Sequence, residues 1–178
     1  MTGPAARPLG LSPLTAAGIV AAVLGASAIV GRRNTPNRSH PGARLWYKRL
    51  DKPNYTPPDP AFGAVWPTLE AGLAVGGYRL LRRSPSRPRN VAIALWLVNT
   101  GMVSGWTQLF FRRHALGASA LASGAMLAGS MAYVAATSRV DRVAQATAIP
   151  FVAWLGFATL LAERVWRRNP PSARLPGA

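Results

Sequence analysis

The chain has 178 residues, enough for one domain, with 49% apolar residues, only 15% charged ones, and 21 Lys or Arg against five acids. Charge gathers at intervals and leaves long uncharged windows, the pattern of membrane spans punctuated by basic loops and not of a soluble domain. A formal charge of +16 falls at the ends of apolar runs with no nucleic-acid motif beside it, so anionic headgroups are better partners for it than nucleic acid.

Five windows in chain order approach the ~20 residues a bilayer requires, at about 8–31, 60–82, 90–111, 115–138 and 143–166. Pro8–Gly31, Asn90–Phe111 and Ala115–Ser138 are uncharged. Val143–Ala162 is uncharged but interrupted by Pro150, and Pro60–Tyr78 carries one acid, Glu70. Ala and Gly stand where Leu is usual, which favours close helix packing. The first window also resembles a signal peptide, with Arg7 before it and Ala26-Ser27-Ala28 near its end. Its length favours a retained helix. The expected fold is an all-α membrane protein: one membrane domain over 1–178, a five-helix transmembrane bundle with a long structured loop at 32–59 between helices 1 and 2.

The other connections are short. Arg112-Arg113-His114 implies an antiparallel hairpin between spans 3 and 4, and Arg139-Val140-Asp141-Arg142 turns span 4 into span 5. Thirteen Lys and Arg lie on the side of the long loop and carboxyl terminus, against eight on the amino-terminal side. The positive-inside rule then places the amino terminus outside and the carboxyl terminus in the cytoplasm. High Arg, Ala and Gly usage favours a bacterial plasma membrane.

The segment Trp46–Trp66 holds five aromatics and four prolines, Pro53, Pro57, Pro58 and Pro60. Prolines fix backbone angles, so a lid made from this loop loses little entropy on closing. It reads W-Y-K-R-L-D-K-P-N-Y-T-P-P and then F-G-A-V-W. This resembles the signature of the TspO/MBR family of tryptophan-rich sensory and translocator proteins, with Tyr55 where the family has tryptophan. Trp106-Thr107-Gln108-Leu109-Phe110-Phe111 and the set Pro150, Phe151, Trp154, Ala158 and Leu161 resemble two further motifs of that family. The chain departs from the pattern at Glu70 and Phe151, where tyrosine is usual, and at Val103, where asparagine is usual and Asn99 stands one turn earlier. Ala162, Glu163 and Arg164 replace an asparagine and tyrosines near the carboxyl end.

The resemblance implies a membrane receptor or sensor binding porphyrins, haem or related tetrapyrroles, with no required cofactor. Its alternatives are light- and oxygen-dependent porphyrin degradation, with Trp66 and Trp154 as redox-active indoles, or lipid and sterol transport. The ligand-binding candidates are Trp46, Tyr47, Trp66, Glu70, Asn99, Trp106, Phe151, Trp154 and Ala158. Aromatic faces suit a flat apolar macrocycle, and Arg44, Lys48, Arg49 and Lys52 suit carboxylates at its edge. The competing reading makes the same Trp and Tyr an interfacial belt or helix packing, and the basic cluster a lipid-facing one. Glu70 lies inside a span, where an ionised acid costs roughly 2.5–3.5 kcal/mol. It is expected either to face the ligand or to be satisfied by an indole or backbone partner.

Gly101-x-x-x-Gly105 and Gly72-x-x-x-Gly76 both permit close helix approach. The family's homodimers favour Gly101 and Gly105 as the interface. His40 and His114, the only histidines, have no carboxylates arranged beside them, and no metal site is expected. Glu163 is expected to pair with Arg167 four residues on.

Overall fold

The computed structural model describes residues 10–36 and 40–170. Pro8 at the start of the first span, the loop residues 37–39 and the terminal arginines Arg7 and Arg174 lie outside them. The described residues form six α-helices and one π-helical turn, with no strand. The helices are α1 (Pro13–Asn34), α2 (Pro41–Arg49), α3 (Asp59–Arg82), α4 (Arg87–Thr107), α5 (Leu116–Thr137) and α6 (Arg142–Arg168). The π-turn, Gln108–Arg112, continues α4.

Local chemistry sets the helix starts. Ser12 accepts from the Thr15 amide at 3.1 Å before α1, and Ser86 accepts from the Arg89 amide at 3.3 Å before α4. Pro13 and Pro88 occupy first-turn positions, where the missing N–H costs nothing. Asp141 caps α6, its Oδ1 accepting from the Val143 and Ala144 amides at 3.0 Å each. Pro67 and Pro150 sit inside α3 and α6 on exposed positions.

The five long helices close into a ring: α1 lies beside α3 and α4, α4 beside α5, α5 beside α6, and α6 back against α3. The core is built from Leu69, Leu73 and Leu80 of α3, Trp96 of α4, Met126 and Tyr133 of α5, and Phe151 and Leu155 of α6. Trp96 is fully buried and donates from its indole to the Leu73 carbonyl at 2.9 Å. Small residues let the helices meet: a Cβ at Gly72 would lie 2.6 Å from the Thr147 carbonyl oxygen of α6.

Two expectations are refined. The connection at 32–59 is not a loop throughout. It begins with the last turn of α1 and contains α2, and among its described residues 35–36, 40 and 50–58 lie outside regular helix. Pro41 at the helix start and the run Ala43-Arg44-Leu45-Trp46-Tyr47-Lys48-Arg49 of adequate helix formers explain α2. The bundle therefore has six helices where five were expected. By length and composition, three of them, α1, α5 and α6, are apolar enough to cross a bilayer. In α3 Glu70, Pro60, Pro67 and Thr68, and in α4 Asn90, Asn99, Thr100 and Ser104, dilute the apolar character.

Candidate functional site

Each end of the bundle gathers its own connections. At one end Leu11, the α3–α4 turn and the α5–α6 turn meet: Arg82 donates to the Leu11 carbonyl at 2.7 Å, and Arg83 reaches Asp141. At the other end lie α2, the π-turn, the start of α5 and the end of α6. Here the Asp51 amide donates to Asn169 Oδ1 at 3.0 Å, and Asn169 Nδ2 donates to the Asp51 carbonyl at 2.9 Å. Arg168 adds an ion pair to Asp51 at 3.4 Å. The segment following α2 is thus fastened to the last turn of α6.

Aromatic side chains from four elements converge at this second end. The Trp46 indole stacks on the His114 imidazole, centroids 4.0 Å apart and planes 14° apart, and meets Phe110 edge-on at 5.4 Å. Tyr47 meets Phe110 and Phe111 edge-on. Trp106 stacks on Phe110 at 4.8 Å, and its indole donates to the Ser119 carbonyl at 2.9 Å. The π-turn makes this possible, because its extra residue per turn brings Phe110 and Phe111 under α2 together. Phe62, Leu161 and Phe157 continue the same apolar layer toward α3 and α6. Trp154 joins it edge-on to Phe62 at 5.8 Å and 5.5 Å from Phe157.

Trp46, Tyr47 and Trp106 therefore share one cluster, and Trp154 reaches it through Phe62 and Phe157. Trp66 packs against the main core instead, and Phe151 is fully buried within it. Ala158 is half-buried on α6, one turn beyond Trp154. Glu70 is half-buried on α3, two turns from Phe62, with the Arg32 guanidinium of α1 as a charged neighbour. Asn99 lies away from the layer: it is fully buried two turns down α4 from Trp106 and faces Gly129 of α5. Its Nδ2 donates to the Leu95 carbonyl at 2.8 Å, while its Oδ1 has no partner.

The basic residues divide as well. Lys52 donates to the Tyr47 carbonyl at 2.7 Å and lies 4.5 Å from the Tyr47 ring centre, so it closes the end of α2. Arg44, Lys48 and Arg49 remain exposed. Burial, reinforced by the Asp59 carboxylate, raises the Tyr47 phenol above its ordinary pKa and keeps it a neutral hydrogen-bonding group. Glu163 pairs with Arg167, as its spacing predicts.

One indole stands out. Trp154 Nε1 is buried and has no acceptor, and Thr159 Oγ1 on the same helix is buried and unpaired too. An orphaned buried donor costs about 1–3 kcal/mol, and the Asn99 Oδ1 and Tyr133 hydroxyl of the main core are unpaired in the same way. Among the described residues no cluster of three or more metal-ligating side chains occurs. Two surface hollows, of about 400 and 620 Å3, open at the other end of the bundle, beside the α5–α6 and α3–α4 turns. These two hollows lie at the end opposite the aromatic layer, whose stacking faces are occupied by its own rings.

Sequence spacing had singled out Trp154 but not Phe157, its neighbour at i+3, nor the Arg79, Arg83 and Asp141 group. The latter carried a readable signal: an Asp immediately before an apolar helix is a cap, and Arg79 and Arg83 are one turn apart.

Residues 17–167 match the profile of the TspO/MBR family. The chain belongs to that family. It is 31% identical to the human translocator protein over 131 residues, 70% of this chain and 75% of the relative. Protein CrtK of Rhodobacter capsulatus is 30% identical, covering 73% of this chain and 81% of the relative. Tryptophan-rich protein TspO of Chlorobaculum tepidum is 25% identical over 72% of this chain and 82% of the relative. TspO/MBR membership, together with three helices apolar enough to cross a bilayer, makes this an integral membrane protein.

Proposed function

We propose that this TspO/MBR protein is a receptor or sensor for tetrapyrroles, porphyrins or haem, taken up beneath α2. The observation that carries the reading is the aromatic layer itself, together with the orphaned Trp154 indole at its edge. A porphyrin presents a flat apolar face for stacking and hydrogen-bond acceptors at its rim. It would displace the stacking of Trp46 on His114 and offer a carboxylate or ring acceptor to Trp154 Nε1. In this reading α2 is the lid, with Asp51 and Asn169 as its hinge fastening and Arg44, Lys48 and Arg49 outside to meet propionates. Glu70 lies deeper on α3, toward the midplane of the bundle.

All five long helices cross the membrane in this proposal. At 1.5 Å per residue, α3 with 24 residues and α4 with 21 match the length of α1. The α2 end, richer in Lys and Arg, faces the cytoplasm of a bacterial plasma membrane, leaving the amino terminus outside. Gly101 and Gly105 have open space beyond them, in contrast with Gly72, which supports their use in a homodimer.

Titration of the detergent-solubilised protein with protoporphyrin IX tests the ligand class. Saturable quenching of tryptophan emission with a shifted porphyrin absorption band, weakened in Trp46→Ala and Trp154→Phe, is the expected result. Non-saturable quenching equal in wild type and both variants would sink it.

A further inference from the structure

At the end of the bundle opposite the aromatic layer, the turn between α5 and α6 borders a hollow of about 400 Å3 lined by four arginines, Arg79, Arg83, Arg139 and Arg142, and one acid, Asp141. The five have different roles. Arg79 donates to Asp141 Oδ1 at 2.8 Å, and Arg83 donates to Oδ2 at 2.9 and 2.6 Å. Asp141 is 3% exposed and also caps α6. These three form a fixed wall. Arg139 and Arg142, by contrast, are exposed, and neither forms an ion pair with a carboxylate among the described residues. The hollow keeps a surplus of positive charge that its own acid does not neutralise.

What lies beneath the arginines decides the ligand. Val143 lines the hollow and is 42% exposed. From it an exposed apolar stripe runs down α6 through Ala146, Ile149 and Ala153, following the three-to-four-residue spacing of one helix face. A second exposed stripe on α5, through Leu121, Ala125, Ala128, Ala132 and Ala135, ends at Ser138 beside the same hollow. Both α5 and α6 are among the helices apolar enough to cross a membrane. A cationic hollow at the top of two apolar stripes has the polarity of an amphiphile standing head-up.

We infer that this hollow is a binding site for the phosphodiester headgroup of an anionic glycerophospholipid, with its acyl chains lying along α5 and α6. Arg139 and Arg142 contact the phosphate, and Arg79 and Arg83, already held by Asp141, set the field behind it. The site is independent of the tetrapyrrole reading, since it lies at the other end of the bundle and shares no residue with the aromatic layer. Its two apolar stripes lie on helices that are span-forming by their own composition.

The test is native mass spectrometry of the full chain released from detergent, titrated with dioleoyl phosphatidylglycerol or dioleoyl phosphatidylcholine. Phosphatidylglycerol is expected to be retained about tenfold more tightly than phosphatidylcholine. Arg139→Gln/Arg142→Gln should abolish that preference, while Arg112→Gln/Arg113→Gln, which removes the same charge at the opposite end, should keep it. Circular dichroism of both variants checks that the bundle is intact, and an unfolded Arg139→Gln/Arg142→Gln protein is replaced by the single Arg139→Gln variant, expected to lose part of the preference. Inorganic phosphate, at an ionic strength matched with chloride, should leave the lipid bound. Equal retention of the two lipids, equal loss in both double variants, an unaltered preference in Arg139→Gln/Arg142→Gln or, where that fails to fold, in Arg139→Gln, or full displacement by phosphate would each overturn the inference. Porphyrin titration of the same samples reads the other site separately.

Discussion

Trp46 and His114 lie face to face, their ring centroids 4.0 Å apart and their planes within 14° of parallel. One ring comes from a nine-residue helix and the other from the turn joining α4 to α5. His114 adopts a positive φ of 52°, a backbone conformation rare for a residue with a side chain. That turn aims its imidazole at α2. The pair is one of four ring contacts, with Trp46–Phe110, Tyr47–Phe110 and Tyr47–Phe111, that hold the candidate lid to the bundle.

Trp46→Ala should therefore free α2 without unfolding the bundle. Each aromatic pair contributes about 0.5–1.5 kcal/mol beyond its area, and Trp46 makes two, with His114 and Phe110. Amide hydrogen exchange over residues 41–49 should accelerate by roughly tenfold to a hundredfold, given that 1.4 kcal/mol is a factor of ten. Exchange in α5 and α6 should stay as in wild type. Unchanged protection of α2 would show that another contact holds it.

Asp141 ties three elements together, and its protonation has a predictable sign. Burial pushes its carboxyl upward, but hydrogen bonds from Arg79, the Ala144 amide and Arg83 outweigh that and hold it well below the ordinary carboxylate range. A depressed folded-state pKa means that the stabilisation is complete above the unfolded value of about 3.9 and fades as pH falls toward the folded one. Asp141→Asn keeps a capping oxygen but loses the charge. Breaking a buried pair costs about 3–5 kcal/mol; with Arg79 and Arg83 side chains 38% and 50% exposed, solvent reduces this to roughly 2 kcal/mol. Thermal melts of both proteins from pH 6 to pH 2 should show a constant gap above pH 5 that narrows below pH 4. A gap independent of pH would assign the effect to packing.

The two glycine pairs should respond in opposite ways. A methyl group at Gly72 would press on the Thr147 backbone carbonyl at 2.6 Å, whereas one at Gly101 meets nothing within 4 Å. Gly72→Ala should force α3 and α6 apart at a cost of about 1–3 kcal/mol. Gly101→Ala should leave the melting of the isolated protomer unchanged or raise it by up to about 1 kcal/mol, the helix preference of Ala over Gly. If Gly101 serves a homodimer, crosslinking in membranes should fall in Gly101→Leu while the fold persists. A stable Gly72→Ala protein with wild-type melting would contradict the close contact.

The helices were legible because apolar runs are local signals, but their starts were not: α1 begins at Pro13 and α4 at Arg87, where Ser12 and Ser86 cap them, and not at residues 8 and 90 where the apolar windows open. The aromatic segment was legible as a unit, yet α2 inside it was not, because nine residues with exposed Arg44, Leu45 and Lys48 give too short a pattern to separate helix from loop. Trp46 and Trp106 are joined through Phe110 of the π-turn at the end of α4, and no sequence pattern announces that turn. Asn99 shows the converse. It was selected by position relative to a motif, but its direction is set by the rotation of α4 against Gly129, which depends on three helices at once.

Trp154 offers the sharpest separation of stability from function. Its indole N–H is buried without an acceptor, so in the unliganded protein it costs free energy, where the Trp96 indole, bonded to the Leu73 carbonyl at 2.9 Å, does not. Trp154→Phe removes the orphaned donor and keeps an aromatic ring against Phe62 and Phe157. Its melting temperature should therefore equal or exceed that of wild type, the recovered 1–3 kcal/mol offsetting the loss of ring area. Trp96→Phe should instead lose about 1 kcal/mol, a satisfied buried hydrogen bond. Porphyrin affinity should move the other way: Trp154→Phe should weaken it roughly tenfold, the value of one hydrogen bond to a ligand acceptor, while Trp96→Phe, fully enclosed in the core, should leave it unchanged. Joint loss of stability and affinity in Trp154→Phe would make the indole a packing residue whose N–H has no ligand to meet.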